Sequence, residues 1–333
     1  MYSLLRALLF RLDPETAHQF TLQLLRIGGI EPVYSILRTL YSFPSKPVQA
    51  FGLTFKNPVG LAAGYDKNAV AIKGLSALGF GHVEVGTVTP KPQPGNPRPR
   101  VFRLLEDEAV INRMGFPSQG AKSVRNQLSV IGNWRSVIVG VNLGKNKDTP
   151  LDIAAEDYVS LMKTFAPLAD YLTINISSPN TVGLRRLQGR EMLESLLERI
   201  NVERETWNLK LPILVKISPD LTEGELDDAI GVILEKGMDG IIATNTTLGR
   251  EGLKSKNQNE SGGLSGSPLR VRSEAVLRQV VKLVNGKIPI ISVGGIMHAD
   301  DAKRRLGMGA NLIQLYTGLV YQGPGLVKRI LEQ

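Results

Sequence analysis

Eight short apolar runs recur from residue 59 onward, most of them followed by a segment with helical spacing, and this alternation limits the fold more than any other feature of the chain. The runs are Val59 to Ala63, His82 to Val88, Val137 to Leu143, Tyr171 to Ile176, Ile213 to Ile217, Gly240 to Thr244, Ile290 to Val293 and Leu312 to Tyr316. Helical patterns such as Asp152 to Ala166, Glu191 to Arg204, Glu223 to Lys236 and Pro268 to Val284 lie between them. Eight β/α repeats predict an α/β protein, a (β/α)8 TIM barrel. A doubly wound sheet alternates in the same way, but its dinucleotide-binding form wants a Gly-x-Gly-x-x-Gly turn after the first strand. Gly60 to Gly64 does not supply one. Such barrels occupy roughly 200 to 250 residues as one unit. The 333-residue chain therefore divides into a barrel domain, residues 46–333, and an N-terminal extension, residues 1–45, joined through the proline-rich connector Phe43 to Pro47.

The extension predicts a helical hairpin. Leu4, Leu5, Leu8, Leu9 and Leu12 recur at helical spacing, and Asp13-Pro14-Glu15 supplies a cap, a first-turn proline and an acidic first turn. The second helix runs from Pro14 to about Ile27, with Phe20, Leu24 and Ile27 on one face, and Gly28-Gly29 ends it. Arg6, Arg11, Asp13 and Glu15 break every apolar run well short of the ~18 residues that a membrane span needs. No basic segment precedes the leucines and no small-residue cleavage site follows them, so a signal peptide is not expected. The hairpin either caps the barrel or lies on a membrane. Its residues favour plain packing, and with a net charge of only +1 any membrane contact would be mainly hydrophobic.

In a TIM barrel the C-terminal strand ends carry function. The exits here are Ala63-Gly64-Tyr65-Asp66-Lys67, Gly86-Thr87, Asn142, Asn175 to Asn180, Lys216, Thr244-Asn245-Thr246-Thr247, Gly294-Gly295 and Tyr316-Thr317. Carboxamides, hydroxyls and two lysines dominate. Asp66 is the only acid among these exits, which argues against paired-carboxylate glycosidase chemistry and carboxylate-held metals. Asn175-Ile-Ser-Ser-Pro-Asn180 packs amides and hydroxyls around a proline where the chain leaves a strand. It reads equally as a reader of a planar heterocycle with a base beside it and as a polar turn capping the next helix. Glycines and hydroxyls after the seventh and eighth strands suit a phosphate, with Gly262-Gly263-Leu264-Ser265-Gly266 expected as a flexible loop on the same rim. Lys67 and Lys216 are Schiff-base candidates or fixed cations. Lys216, inside a strand, should point into the barrel beside any flavin or phosphate, which leaves Lys67 for an anionic substrate.

Composition removes other chemistries. There is no cysteine, which excludes disulfides, thiolate metal sites and cysteine nucleophiles or bases. His18, His82 and His298 lie far apart without ligand spacing, so neither a metal site nor a Ser-His-Asp triad is expected. The net charge of +9 comes without a Lys/Arg run interleaved with aromatics, and nucleic acid is not an expected partner.

The motifs Gly60 to Lys67, Gly86 to Pro90, Asn112-Arg113-Met114-Gly115-Phe116, Gly144 to Lys147, Asn175 to Asn180, Ala243 to Thr247, Gly262 to Gly266 and Val293 to Ile296 occur in order behind the hairpin. In these the chain resembles the dihydroorotate dehydrogenases of the membrane-associated, quinone-dependent class, class 2. The resemblance implies oxidation of dihydroorotate to orotate, the fourth step of de novo pyrimidine synthesis, with one FMN per chain as first acceptor and a membrane quinone as second. It implies Ser178 as the base at C5, with hydride passing from C6 to flavin N5. Lys67 would grip the substrate carboxylate. Asn112, Asn175, Asn180, Asn245 and Thr246 would read the ring, and Arg113, Met114, Gly115 and Phe116 would add contacts. Ala63, Gly64, Tyr65, Asp66, Lys67, Thr87, Asn142, Asn175, Lys216, Thr244, Gly266, Gly295, Tyr316 and Thr317 match the family's FMN contacts. Class 1 uses a cysteine base, so the absence of cysteine agrees with class 2. A serine is a weak base, and Thr181 with water is the expected proton relay. The resemblance also lays the hairpin on the cytoplasmic face of the bacterial cell membrane as a peripheral anchor and quinone tunnel, with His18 and Arg103 near the tunnel.

Rival readings fit less well. Dihydrouracil dehydrogenases and tRNA dihydrouridine synthases typically rely on a catalytic cysteine, and a Schiff-base aldolase would leave the four asparagines unexplained. A barrel that only binds a phosphorylated ligand at a membrane surface would purify colourless.

Overall fold

The computed structural model describes residues 2–43, 45–131 and 136–333; Pro44, within the expected connector, lies outside the described residues. Strands β1 (Val59–Leu61), β2 (His82–Val88), β3 (Ile138–Leu143), β4 (Tyr171–Asn175), β5 (Ile213–Ile217), β6 (Gly240–Ala243), β7 (Ile290–Val293) and β8 (Leu312–Leu315) form a closed barrel. They pair in parallel in chain order, and β8 closes on β1 with Ile313 opposite Val59. All eight expected strands are present. Several end one or two residues earlier than their apolar runs, because the last residues of each run turn out of the ladder toward the mouth.

Complementary sizes fill the interior. A β-carbon on Gly60 would lie 2.0 Å from the His82 ring, and one on Gly140 would lie 2.1 Å from the Tyr171 ring. Each large ring takes the space that its glycine leaves, so the barrel is packed rather than hollow. A hairpin of Val48–Ala50 and Leu53–Phe55 stoppers the N-terminal end. Phe55 meets His82 edge-on at 5.3 Å and clusters with Leu214, Ile242, Ile291 and Leu312. A second, larger apolar layer lies between the strands and the surrounding helices.

Two expectations need correction. Gly263–Gly266 is not a flexible loop but a strand of a three-stranded antiparallel sheet with Val101–Leu104 and Ala109–Asn112. Its glycines are needed for close approach. A β-carbon on Gly263 would lie 2.0 Å from Thr246 Oγ1, and one on Gly262 would lie 2.2 Å from the Asn112 carbonyl oxygen. This sheet seats the Asn112–Phe116 segment on the rim.

The extension holds three helices, α1 (Tyr2–Leu9), α2 (Pro14–Gly28) and α3 (Val33–Leu40), rather than two. The spacing of Val33, Ile36, Leu37 and Leu40 is the signal for the third. These helices bury Leu9, Ala17 and Tyr34 and partly bury Leu22 and Leu25 at their junction with the barrel, as plain packing requires, but only part of their apolar surface is covered. Leu4, Leu8, Phe20, Leu24, Ile27, Ile30, Ile36 and Leu40 are all exposed. Polar anchors add to this packing: Tyr2 donates to the Val320 carbonyl at 2.5 Å and Arg6 to the Tyr321 carbonyl at 2.8 Å. Among the described residues no helix is long and apolar enough to cross a membrane.

Substituting Gly60→Ala should overpack the lower barrel and cost at least about 1–3 kcal/mol. Urea unfolding should show a lower midpoint with little change in slope.

Candidate active site

Glu84 lies in β2, fully buried, and its carboxylate accepts hydrogen bonds from Asn142 Nδ2 (2.7 Å), Gln314 Nε2 (2.9 Å) and the Tyr171 hydroxyl (3.1 Å). A carboxylate away from water requires such partners. Burial, with Glu84 beside it, holds the Tyr171 phenol well above its ordinary pKa, so it remains a donor. Lys216 on β5 is buried below the mouth and lines the pocket, with no hydrogen bond or salt bridge to its ammonium among the described residues. Burial lowers its pKa, and the charge of Glu84 pulls it partly back.

Above this floor the carboxamides are joined edge to edge. Asn142 Oδ1 accepts from Thr87 Oγ1 at 2.6 Å and from Asn175 Nδ2 at 2.9 Å, and Asn175 Nδ2 also reaches Thr87 Oγ1 at 3.0 Å. Asn245 Nδ2 donates to Ser177 Oγ at 2.9 Å, and Asn245 Oδ1 accepts from the Thr246 amide at 2.8 Å. Across the pocket Asn180 Nδ2 donates to Asn112 Oδ1 at 3.1 Å. Ser178 lines the same space, nearly buried, its Oγ accepting from the Asn180 amide at 3.3 Å. Arg185 ties the Ser177 carbonyl (3.0 Å) to that of Thr246 (2.9 Å) and pairs with Asp220 at 2.8 Å, so two strand exits are clamped together.

After β7, Gly294 and Gly295 both take positive φ, 108° and 72°. A β-carbon on Gly295 would lie 2.4 Å from the Arg270 backbone, so the turn demands glycine. Arg305, wholly buried, donates to the Gly294 carbonyl at 2.8 Å and to Ser273 Oγ at 2.7 Å. The turn is thereby held from the helix side, leaving its other side to the pocket that Gly294, Gly295, Thr317 and Gly318 line.

Lys67 stands at a junction. It donates to the Gly64 carbonyl and lines both the mouth and a second, mostly apolar cavity between α1–α3 and the barrel. Met114 and Tyr316 are the other shared walls. Burial depresses the Lys67 pKa to about 8, with Glu15 opposing that shift and Arg100 adding to it. In the second cavity His18 meets Tyr65 edge-on at 5.0 Å, and burial pushes its pKa down to about 3, so it is neutral. Arg103 donates to the Phe10 and Leu12 carbonyls at 3.0 and 3.1 Å and stacks on the Phe10 ring.

The mouth brings together Ala63, Gly64, Lys67, Thr87, Asn112, Met114, Gly115, Phe116, Asn175, Ser178, Asn180, Lys216, Thr244, Asn245, Thr246, Gly266, Gly295, Tyr316 and Thr317. Five expected residues stand outside its lining. Asn142 sits one hydrogen bond below it, Tyr65 faces the second cavity, and Asp66 accepts from the Val70 and Ala71 amides. Arg113, the residue after the rim strand Ala109–Asn112, has its amide fixed on the Arg100 carbonyl at 2.9 Å and turns its side chain outward to Glu260 at 2.5 Å, stacking on Phe102. Thr181 is buried just beyond Asn180, its hydroxyl without a hydrogen-bond partner among the described residues. Glu84, Gln314 and Arg305 escaped the sequence reading, while Ser177 and Ser265 stood inside its motifs without a role of their own. An acid inside the apolar run His-Val-Glu-Val-Gly was the available signal for Glu84. Among the described residues no group of His, Asp or Glu could hold a metal ion.

Known proteins are similar to this chain in sequence and fold. The family model for dihydroorotate dehydrogenase matches residues 46–333. A dihydroorotate dehydrogenase (quinone) of Halorhodospira halophila is 49% identical over 337 residues, covering 100% of this chain and 97% of that protein. One from a Roseiflexus species is 50% identical over 335 residues, covering 100% and 92%. The crystal structure of DHODH from Eimeria tenella in complex with ferulenol matches with a TM-score of 0.89 at 41% identity, over 96% of this chain and 90% of that one. The chain belongs to the quinone-dependent dihydroorotate dehydrogenase family.

Proposed function

We propose that the chain oxidises dihydroorotate to orotate at the barrel mouth, with Ser178 taking the C5 proton and a quinone receiving the electrons through the second cavity. The family's reaction is this oxidation, a step of pyrimidine biosynthesis, with FMN as its flavin. One observation carries the residue-level reading: Ser178, Lys67 and the carboxamides of Asn112, Asn175, Asn180 and Asn245 line a single pocket that meets an apolar passage at Lys67, Met114 and Tyr316.

The donor set fits FMN. The glycine turn after β7, braced by Arg305, suits a phosphate. Lys216 offers an ammonium without a protein partner to an electron-rich ring edge, and Thr87 and Asn175 offer hydrogen-bonding groups beside it. FMN, when bound, would accept the hydride that leaves C6 of the substrate and pass the electrons to quinone.

The chain's own residues do the rest. Lys67 pairs with the substrate carboxylate, and the asparagines, each both donor and acceptor, hold the amide edges of the dihydropyrimidine. Hydrogen bonds to the ring carbonyl next to C5 make the C5 proton removable. Ser178 Oγ accepts that proton while its own hydroxyl proton passes toward Thr181, whose buried hydroxyl has no hydrogen-bond partner among the described residues, and then to water. The exposed leucines, isoleucines and phenylalanine of α1–α3 support peripheral attachment to the cytoplasmic membrane face, where quinone is dissolved.

Ser178→Ala should retain flavin but lower the rate of anaerobic flavin bleaching by dihydroorotate about 10²- to 10⁴-fold near neutral pH. Thr181→Val should slow the same step less. Bleaching of the Ser178 variant within a few-fold of the wild-type rate would exclude this base.

Lys67 is a cation below about pH 8 and neutral above it. Affinity for the orotate anion, followed by perturbation of flavin absorbance, should fall by up to about tenfold per pH unit above that value. Lys67→Met should bind orotate weakly at every pH and lose this dependence.

A further inference from the structure

We propose that Glu15, on α2 of the extension, is a positioning residue for the pyrimidine half of the pocket, acting through Arg100 and Asn96. The proposal rests on the reading of that pocket as the dihydroorotate site.

Glu15 and Arg100 are both nearly buried, at 8% and 7% exposure, at the junction of α2 with the barrel. The carboxylate accepts from Arg100 Nε at 3.1 and 3.2 Å and from Nη2 at 3.0 Å, and the exposed Arg98 adds a contact at 3.2 Å. The other arm of Arg100 is also used: Nη1 donates to the Pro94 carbonyl at 2.6 Å and to that of Asn96 at 2.8 Å. The 94–100 segment is thereby drawn into a tight loop whose Asn96 side chain points at both substrate-side segments. Asn96 Nδ2 donates to the Arg113 carbonyl at 2.9 Å and to the Asn180 carbonyl at 3.2 Å, and the Asn96 amide donates to the Met114 carbonyl at 2.9 Å. Contact is close enough that a β-carbon on Gly115 would lie 2.7 Å from Asn96 Nδ2.

Asn96 is therefore a strap between the Asn112–Phe116 and Asn175–Asn180 segments, whose own side chains are joined by the hydrogen bond from Asn180 to Asn112. Its orientation depends on Arg100, and Arg100 stays in place because Glu15 neutralises it. Without that carboxylate a nearly buried guanidinium would stand close to the Lys67 ammonium with no counter-charge. It would turn toward solvent and release the Pro94 and Asn96 carbonyls. The extension thus does more than hold the apolar cavity: one of its acids sets the spacing of the asparagines that read the substrate.

The test is orotate affinity, measured by flavin absorbance, together with anaerobic flavin reduction across a range of dihydroorotate concentrations, on the full flavin-loaded chain. Glu15→Gln should weaken orotate binding and raise half-saturating dihydroorotate about tenfold, with a much smaller change in the saturating rate, and Glu15→Asp should restore most of the loss. Asn96→Ala, which leaves no uncompensated charge, should show the same split. Arg6→Gln, which loosens a different anchor of the extension, should leave orotate affinity within twofold. Orotate affinity within twofold of wild type in Asn96→Ala, or in a folded Glu15→Gln, overturns the proposal, as does an equal loss in Arg6→Gln. A wild-type protein that dihydroorotate fails to bleach would instead defeat the functional reading beneath it.

Discussion

A carboxylate at the centre of a closed barrel has no bulk water to turn to, and the site is built around meeting that need. Glu84 gathers Asn142, Gln314 and Tyr171 from three other strands, and Asn142 in turn fixes Thr87 and Asn175. Asn175 and Thr87 are therefore aimed from below by one buried charge, while Asn112, Asn180 and Asn245 are set from the rim. The same charge makes a buried ammonium at Lys216 tolerable. Pre-organisation of this kind lets a pocket recognise a polar ring without reorganising when the ring arrives.

The second constraint is solubility. An anionic pyrimidine and an apolar electron acceptor have to reach one reaction centre from different solvents. The proposed routes use two spaces that share walls: Lys67, Met114 and Tyr316 face the polar mouth and the apolar cavity alike. His18 and Arg103 suit the cavity because neither presents a free charge to it. Burial keeps the histidine neutral, and the arginine spends Nη1 on two backbone carbonyls and lies over the Phe10 ring.

Much of this was legible in the chain because barrel strands and their exits leave local signatures. All eight apolar runs became strands, and most of the polar residues at their ends became pocket lining. What escaped depends on partners far away in sequence. Glu84 lies inside a strand rather than at its exit, Arg305 reaches the Gly294 turn from a following helix, and Glu15 meets Arg100 across 85 positions. Charges of that sort look like surface residues until the fold buries them. Arg113 departs in the opposite sense: its neighbours line the mouth, but Arg113, just past the strand Ala109–Asn112, points out to Glu260. The third helix was missed although its apolar spacing was present, since a segment of eight residues after a proline offers little pattern to weigh.

The stopper formed by Val48–Phe55 divides the molecule into a working pole and an idle one. With Phe55 and its neighbours filling the lower end, small molecules have no thoroughfare along the barrel axis, so reactants and products share a single side of the protein. The far pole is accordingly the place for a label, a surface tether or a fused partner, where such cargo would leave the traffic at the rim undisturbed.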